Sequence, residues 1–259
     1  MEVVIAGSAD EVARLAAGIV ARVVRATEQP VIGLATGSSP LSTYRSLIDQ
    51  HRSTGLSFAG ASAVTLDEYV GLPYDHPASY RSVIRTEFVD QVDLPVDRLY
   101  SPDVHATDLI AACDTYERTV VELGVDVQLL GIGSDGHIGF NEPGSSLSSR
   151  TRIKTLTDRT RTDNARFFDS IDDVPRHVVT QGLGTIATAA HLVMIATGST
   201  KAGPIAAMVE GPVSASCPAS VLQFHRHVTV LLDDEAASRL GNADYFREAY
   251  RHKPSWQHL

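Results

Sequence analysis

Val125-Asp-Val-Gln-Leu-Leu-Gly-Ile132 runs directly into Gly133-Ser-Asp-Gly-His-Ile-Gly-Phe-Asn-Glu-Pro143, and the reading of this stretch decides the fold. Its first half is short, apolar and bounded by glycine, the pattern of a strand buried on both faces rather than of a helix. The second half is a glycine-rich loop, which therefore hangs from the strand's carboxyl end. In open α/β sheets that edge forms the ligand crevice, because its loops are held on a rigid scaffold. Gly133, Gly136, Gly139 and Gly144 permit close backbone approach, while Pro143 biases Glu142 towards extended backbone. Asp135, His137 and Glu142 are thereby able to converge. Histidine, with an ordinary pKa of about 6.5, suits a proton shuttle near neutrality. A carboxylate on its other ring nitrogen would fix the tautomer, and either Asp135 or Glu142 can supply it. A bare Asp-Gly-His is ordinarily only a turn; the preceding strand, the glycine density and Glu142 make this one a candidate site.

Working outward, strand-like apolar runs recur at 3–6, 31–35, 63–66, 127–132, 192–196 and 228–232, with helical patterns between them at 9–26, 41–50, 79–89, 106–123 and 201–209. Such alternation predicts a three-layer, Rossmann-like α/β fold, an open and mostly parallel sheet with helices on both faces. No repeat or Pro/Ser-rich linker divides the chain, so residues 1–259 are expected to form a single α/β domain. The polar tail 251–259 is expected to fray.

Composition narrows the partners. Lys and Arg number 22 against 31 Asp and Glu, and the net charge of −9 would repel a nucleic-acid backbone or an anionic membrane surface. No apolar run approaches the roughly 20 residues needed to span a bilayer. The chain opens on strand-like Val3-Val4-Ile5-Ala6 instead of a signal peptide, and a cytoplasmic location is expected. Cys113 and Cys217 lack C-x-x-C spacing and are expected to be packed thiols. His225 and His227 lack nearby acidic or cysteine partners and are expected to be hydrogen-bonded or solvated rather than metal ligands.

Gly33-Leu-Ala-Thr-Gly-Ser-Ser-Pro40 follows the second strand and leads into a helix, with Pro40 suited to its first turn. Open backbone N–H groups, the helix dipole and the hydroxyls of Thr36, Ser38 and Ser39 around Gly37 make an anion cradle. It is neither a Walker A loop nor G-x-G-x-x-G, so nucleotide binding has no support. A second strand-to-helix turn, Ala196-Thr-Gly-Ser-Thr-Lys-Ala202, puts Lys201 in the first helical turn, where a cation is unfavourable unless it meets an anion. A third strand end, Thr65-Leu-Asp-Glu-Tyr-Val-Gly-Leu72, would project Asp67 from the edge that carries His137. The adjacent carboxylates Asp67 and Glu68 point differently, so one can enter the site while the other makes a structural contact.

Taken together, LATGSSP at 34–40, LDEYVGL at 66–72, GSDGHIGFNEP at 133–143, SSLSSRTRIKTLT at 145–157, NARFF at 164–168 and GSTKA at 198–202 resemble the glucosamine-6-phosphate deaminase (isomerase) family over nearly the whole chain. The resemblance implies conversion of D-glucosamine 6-phosphate and water into D-fructose 6-phosphate and ammonia in amino-sugar catabolism, with no cofactor and no metal. It implies that Asp67 moves the proton between C2 and C1, that Asp135, His137 and Glu142 open the sugar ring, and that Thr36, Gly37, Ser38, Ser39, Arg166 and Lys201 hold the phosphate. Arg166 has no special context in the sequence itself. By the same resemblance the protein is a homo-oligomer, on the pattern of hexameric relatives. Those are activated by N-acetylglucosamine 6-phosphate at a subunit-interface site matching Ser145, Ser146, Arg152, Lys154, Thr155 and Tyr245. Departures from the family pattern are small: Thr36-Gly-Ser-Ser-Pro40 for TGGTP and Gly133-Ser-Asp-Gly-His137 for GNDGH.

The rival enzyme is a 6-phosphogluconolactonase, but Asp67-Glu68-Tyr69 and Phe140-Asn-Glu-Pro143 stand where its DER and SLFP-like segments would be. A non-catalytic sugar-phosphate sensor would need the cradle but not the proton carriers Asp67, His137 and Glu142.

Overall fold

The computed structural model describes residues 1–254 and 256–259; Ser255 and the side chain of Ser38, one member of the anion cradle, lie outside the described residues. The chain opens with β1 (Glu2–Ala6) and α1 (Ala9–Ala26). Ser8 caps α1 by accepting from the Glu11 N–H, and Val12, Ala16, Ile19, Val20 and Val24 form its buried stripe. Next come β2 (Val31–Leu34), α2 (Ser38–Thr54), β3 (Ser62–Thr65), β4 (Asp67–Tyr69), α3 (Tyr80–Glu87) and β5 (Leu99–Tyr100). The middle of the chain forms α4 (Leu109–Leu123), β6 (Val127–Leu130), β7 (Arg152–Thr155) and α5 (Asp158–Asn164). It closes with β8 (His177–Thr180), α6 (Leu183–Ile186), β9 (His191–Ala196), α7 (Ala202–Val209), β10 (Val228–Asp233) and α8 (Ala243–Arg251).

The main sheet has seven strands in the order β1-β10-β9-β6-β2-β3-β5, every neighbouring pair parallel. β2, β6 and β9 are buried along their whole length, as their unbroken apolar runs predict. Two cores flank this sheet. One gathers α1, α2 and Phe88 against Ile32, Leu129 and Val193; the other gathers Tyr116, Ile186, Ile205 and Leu222 against Leu130, Met194 and Val230. The architecture is thus the three-layer α/β fold expected, and no described helix is long and apolar enough to cross a membrane. From β2 the chain moves outward to β3 and β5, whereas from β6 it moves the other way to β9 and β10. The loops leaving β2 and β6 consequently diverge at their carboxyl ends, the topological switch point where such sheets bind ligands.

A second sheet, β4-β8-β7, is antiparallel and was not foreseen. Its strands have three or four residues each. Asp67 therefore does not end β3; after Leu66 the chain changes sheets and Asp67 opens β4, opposite Thr180. The Gln181 N–H donates to Leu66 O at 2.8 Å and its Nε2 to Thr65 O at 2.8 Å, stitching the bend. Helix ends differ from expectation where caps decide: α4 starts after Asp108, whose carboxylate accepts from the Ile110 and Ala111 N–H groups. Within the tail expected to fray, Lys253 is tied down, its Nζ 2.5 and 2.7 Å from the two Glu2 carboxylate oxygens.

Candidate active site

The loop after β6 is anchored at alternate residues. Ile138 and Phe140 are buried, and the Phe140 ring lies parallel to Tyr80 with centroids 6.0 Å apart. Asn141, fully buried, donates from Nδ2 to Ile138 O and Gln181 O at 2.9 and 2.8 Å and accepts from Arg152 Nη1 at 2.9 Å. With those positions fixed, Asp135 and His137 stand half-exposed at the crevice. His137 Nδ1 lies 2.6 Å from Asp135 Oδ1, which also accepts the His137 N–H at 3.1 Å. That bond, first among the causes, holds the Asp135 carboxyl down at about 2. It also engages Nδ1 of His137, so that Nε2 is the ring nitrogen not taken up by Asp135. Of the two carboxylates the sequence offered as orienter, Asp135 takes the role. Glu142 is buried instead against α5, accepting from Thr160 Oγ1, with Thr157 Oγ1 3.5 Å away.

Asp67 reaches this loop from β4. A Cβ built on Gly139 would stand 3.0 Å from Asp67 Oδ2 and 3.0 Å from Thr180 Oγ1, so the carboxylate tip lies against the loop two residues past His137. Burial first, and the neighbouring Glu68 charge second, push the Asp67 carboxyl up to about 8. Glu68 turns away, as alternation along a strand requires. It accepts from the N–H groups of Tyr69, Tyr80 and Arg81 and from Ser79 Oγ at 2.8–3.0 Å, tying β4 to the start of α3.

The β2–α2 turn is shaped by Tyr44, whose buried hydroxyl donates to Ala35 O at 2.7 Å and accepts the Ala35 N–H at 3.1 Å. Gly37, at φ 101°, occupies the N-cap of α2, where it offers no capping side chain and leaves the helix start open to an anion. Thr36 and Ser39 flank it, half-buried. Lys201 sits just ahead of α7 and donates from Nζ to Ile132 O at 2.7 Å, at the root of the His137 loop. Burial first and then the Arg166 charge lower its pKa. Arg166 itself is exposed, on the short turn after α5, with its guanidinium 4.8 Å from the Phe167 ring centre. The Gly198–Ser199 amides are already engaged by Asp233 and Glu235, so the second turn contributes its lysine rather than its backbone.

The residues matching an effector site are only partly gathered. Ser145 is buried just after the loop, Ser146 is exposed, and Arg152, Lys154 and Thr155 line β7, with Arg152 spent on Asn141. Tyr245 lies on α8, which packs on β1, an edge strand of the main sheet. Sequence reasoning missed Thr157, Thr160 and Asn141; the first two lie 15 and 18 residues beyond Glu142, and no local pattern announces the pairing. His225 is hydrogen-bonded, with Nε2 2.9 Å from Ala189 O, and His227 stacks on His191 at 3.6 Å. Cys113 and Cys217 are free thiols, buried and half-buried.

A histidine–aspartate pair on the loop after β6, a buried carboxyl of raised pKa against that loop and a lysine at its root are groups able to open a hemiacetal, move a proton between adjacent carbons and hold a phosphate. The family model described as glucosamine-6-phosphate isomerases/6-phosphogluconolactonase matches residues 6–231. A protein of Rhodococcus jostii (strain RHA1) named glucosamine-6-phosphate deaminase is 61% identical over 258 residues, covering 99% of each chain. One of the same name from Streptomyces coelicolor is 54% identical over 259 residues, again covering 99% of each. Among solved structures, one described as a monomeric glucosamine-6-phosphate deaminase superposes with a TM-score of 0.90 at 44% identity, covering 92% of this chain and 100% of that one. A 6-phosphogluconolactonase from Trypanosoma brucei superposes with a TM-score of 0.76 over 93% of this chain and 98% of its own, at 21% identity, which establishes a common fold alone.

Proposed function

Since the chain belongs to the family of glucosamine-6-phosphate isomerases and 6-phosphogluconolactonases, we infer that it converts D-glucosamine 6-phosphate and water into D-fructose 6-phosphate and ammonia. The observation that carries this choice within the family is Asp67: a buried carboxyl, raised to about 8, whose tip lies against the His137 loop. Lactone hydrolysis needs no group that moves a proton between neighbouring carbons, whereas aldose–ketose isomerisation does.

In the proposed sequence, Lys201, Arg166 and the α2 start at Thr36–Ser39 hold the phosphate, which fixes the sugar across the crevice. His137, oriented by Asp135, exchanges the proton that opens the ring, with Glu142 completing the acid–base set. Asp67 then takes the proton from C2 and returns it to C1. The C1 carbonyl becomes a hydroxymethyl group and the amine-bearing C2 an iminium, which water hydrolyses to ketone and ammonia. One carbon is reduced as its neighbour is oxidised, so the step balances without a redox partner.

Purified protein incubated with glucosamine 6-phosphate should yield fructose 6-phosphate and ammonia in equal amounts. Turnover of 6-phosphogluconolactone with none of the amino sugar overturns the assignment, and saturable binding without either product points to a sensor. Lys201→Ala should raise KM roughly 10- to 100-fold, the loss of a charge-assisted contact worth about 1.5–3 kcal/mol, with a smaller change in kcat. An unchanged KM places the phosphate elsewhere.

Effector control would have to bring Tyr245, on α8 against β1, and the β7 residues, against α4, to one site, which a subunit interface would do. A monomeric mass by light scattering, together with hyperbolic saturation unmoved by N-acetylglucosamine 6-phosphate, removes the oligomer and the effector site together.

A further inference from the structure

The contact between Glu142 Oε1 and Thr160 Oγ1 has the threonine hydroxyl as donor and the carboxyl oxygen as acceptor. Thr160 Oγ1 is then left to accept, and Thr157 Oγ1 lies 2.9 Å away; Thr157 in turn accepts the Thr160 N–H at 3.2 Å, the bond that caps α5. The cap uses the hydroxyl of Thr157 and the backbone of Thr160. The Thr160 hydroxyl is therefore surplus to the helix, and it is aimed out of α5 into a buried carboxylate. Resting on the functional site as proposed above, we infer that Thr160 is a positioning residue for Glu142, holding that carboxylate in the orientation the ring-opening step uses.

The placement of α5 gives this contact its significance. Arg159 Nη2 lies 3.4 Å from Ser134 Oγ, so α5 grips the loop ahead of His137 as well as behind it at Glu142. Arg161, buried, donates to Val174 O and Ile171 O at 3.1 and 2.6 Å and pins the far end of the same segment. The turn that follows α5 carries Arg166. The element that orients Glu142 thus continues directly into the one assigned to the phosphate.

Thr160→Val removes the hydroxyl at nearly constant volume. Its kcat on glucosamine 6-phosphate should fall about 10- to 100-fold, as expected for a hydrogen bond to a charged group, with KM within about threefold of wild type. Thr160→Ser should recover most of the loss. In a Glu142→Gln background, adding Thr160→Val should cost less than about twofold more, because the partner it positions is already altered. A wild-type kcat in Thr160→Val, or an equal penalty in both backgrounds, overturns the proposal. If the valine variant melts well below wild type, Thr160→Ala carries the same comparison. Absence of turnover in the wild-type protein is a different result and defeats the functional assignment itself.

Discussion

Asp67→Asn is expected to lower kcat on glucosamine 6-phosphate by about 10²- to 10⁴-fold while leaving substrate binding nearly intact, because the amide keeps the shape of the side chain and loses its basicity. The same variant should be more stable than wild type, and the sign follows from linkage. Asp67 has a folded value of about 8 against an ordinary 3.8, so between those values the native state retains a proton that the unfolded chain has released. Stability from this group is present below about 4 and is lost as pH rises through about 8. Asparagine carries no such penalty, so the melting-temperature gain of the variant should grow from pH 5 to pH 9. For the wild type, kcat/KM should climb with pH towards a plateau above about 8, where the free enzyme holds Asp67 ionised. A wild-type rate in Asp67→Asn, or a stability difference flat in pH, contradicts the assignment.

Gly133→Ala should be nearly as damaging, for a steric reason. A Cβ at this position would stand 2.1–2.3 Å from Cε1, Nδ1 and Nε2 of His137, so the imidazole occupies the space a side chain would need. Either the ring swings away and breaks its 2.6 Å bond to Asp135, or the loop shifts with it. Loss of an oriented acid–base group predicts a fall in kcat of about 10²- to 10⁴-fold, comparable to that of His137→Ala. The far-ultraviolet spectrum should change little, because the substitution falls in a loop beyond β6. A variant that retains the wild-type rate would mean that His137 functions in another rotamer.

Six of the seven strands of the parallel sheet were legible because they are apolar runs of four to six residues, such as Val127–Leu130 and His191–Ala196, whose character needs no partner to be recognised; β5, only Leu99–Tyr100, was too short to show. The antiparallel sheet was not. Asp67-Glu-Tyr69 and Arg152-Ile-Lys-Thr155 carry too few apolar residues, and β4 becomes a strand only by pairing with β8, over a hundred residues later in the chain. The site divides along the same line. Asp135, His137 and Glu142 announce themselves because glycines and titratable groups are neighbours in one loop. Which carboxylate would meet the imidazole depends on how that loop turns, and the route of Glu142 to Thr160 depends on the placement of α5, set by tertiary packing. Arg166 came with family resemblance alone, since an exposed arginine on a polar turn has no local signature.

The bend from β3 through Leu66 into β4, closed by the two Gln181 hydrogen bonds, has a dynamic meaning. A fluctuation that wets Asp67 by freeing β4 must break its pairing with β8, and one that spreads back to the bend must also break the Gln181 bonds at the end of β3. The carboxyl's raised affinity for its proton is in that sense tied to how β4 is held, and a change that frees β4 from β8 should lower it towards the ordinary value.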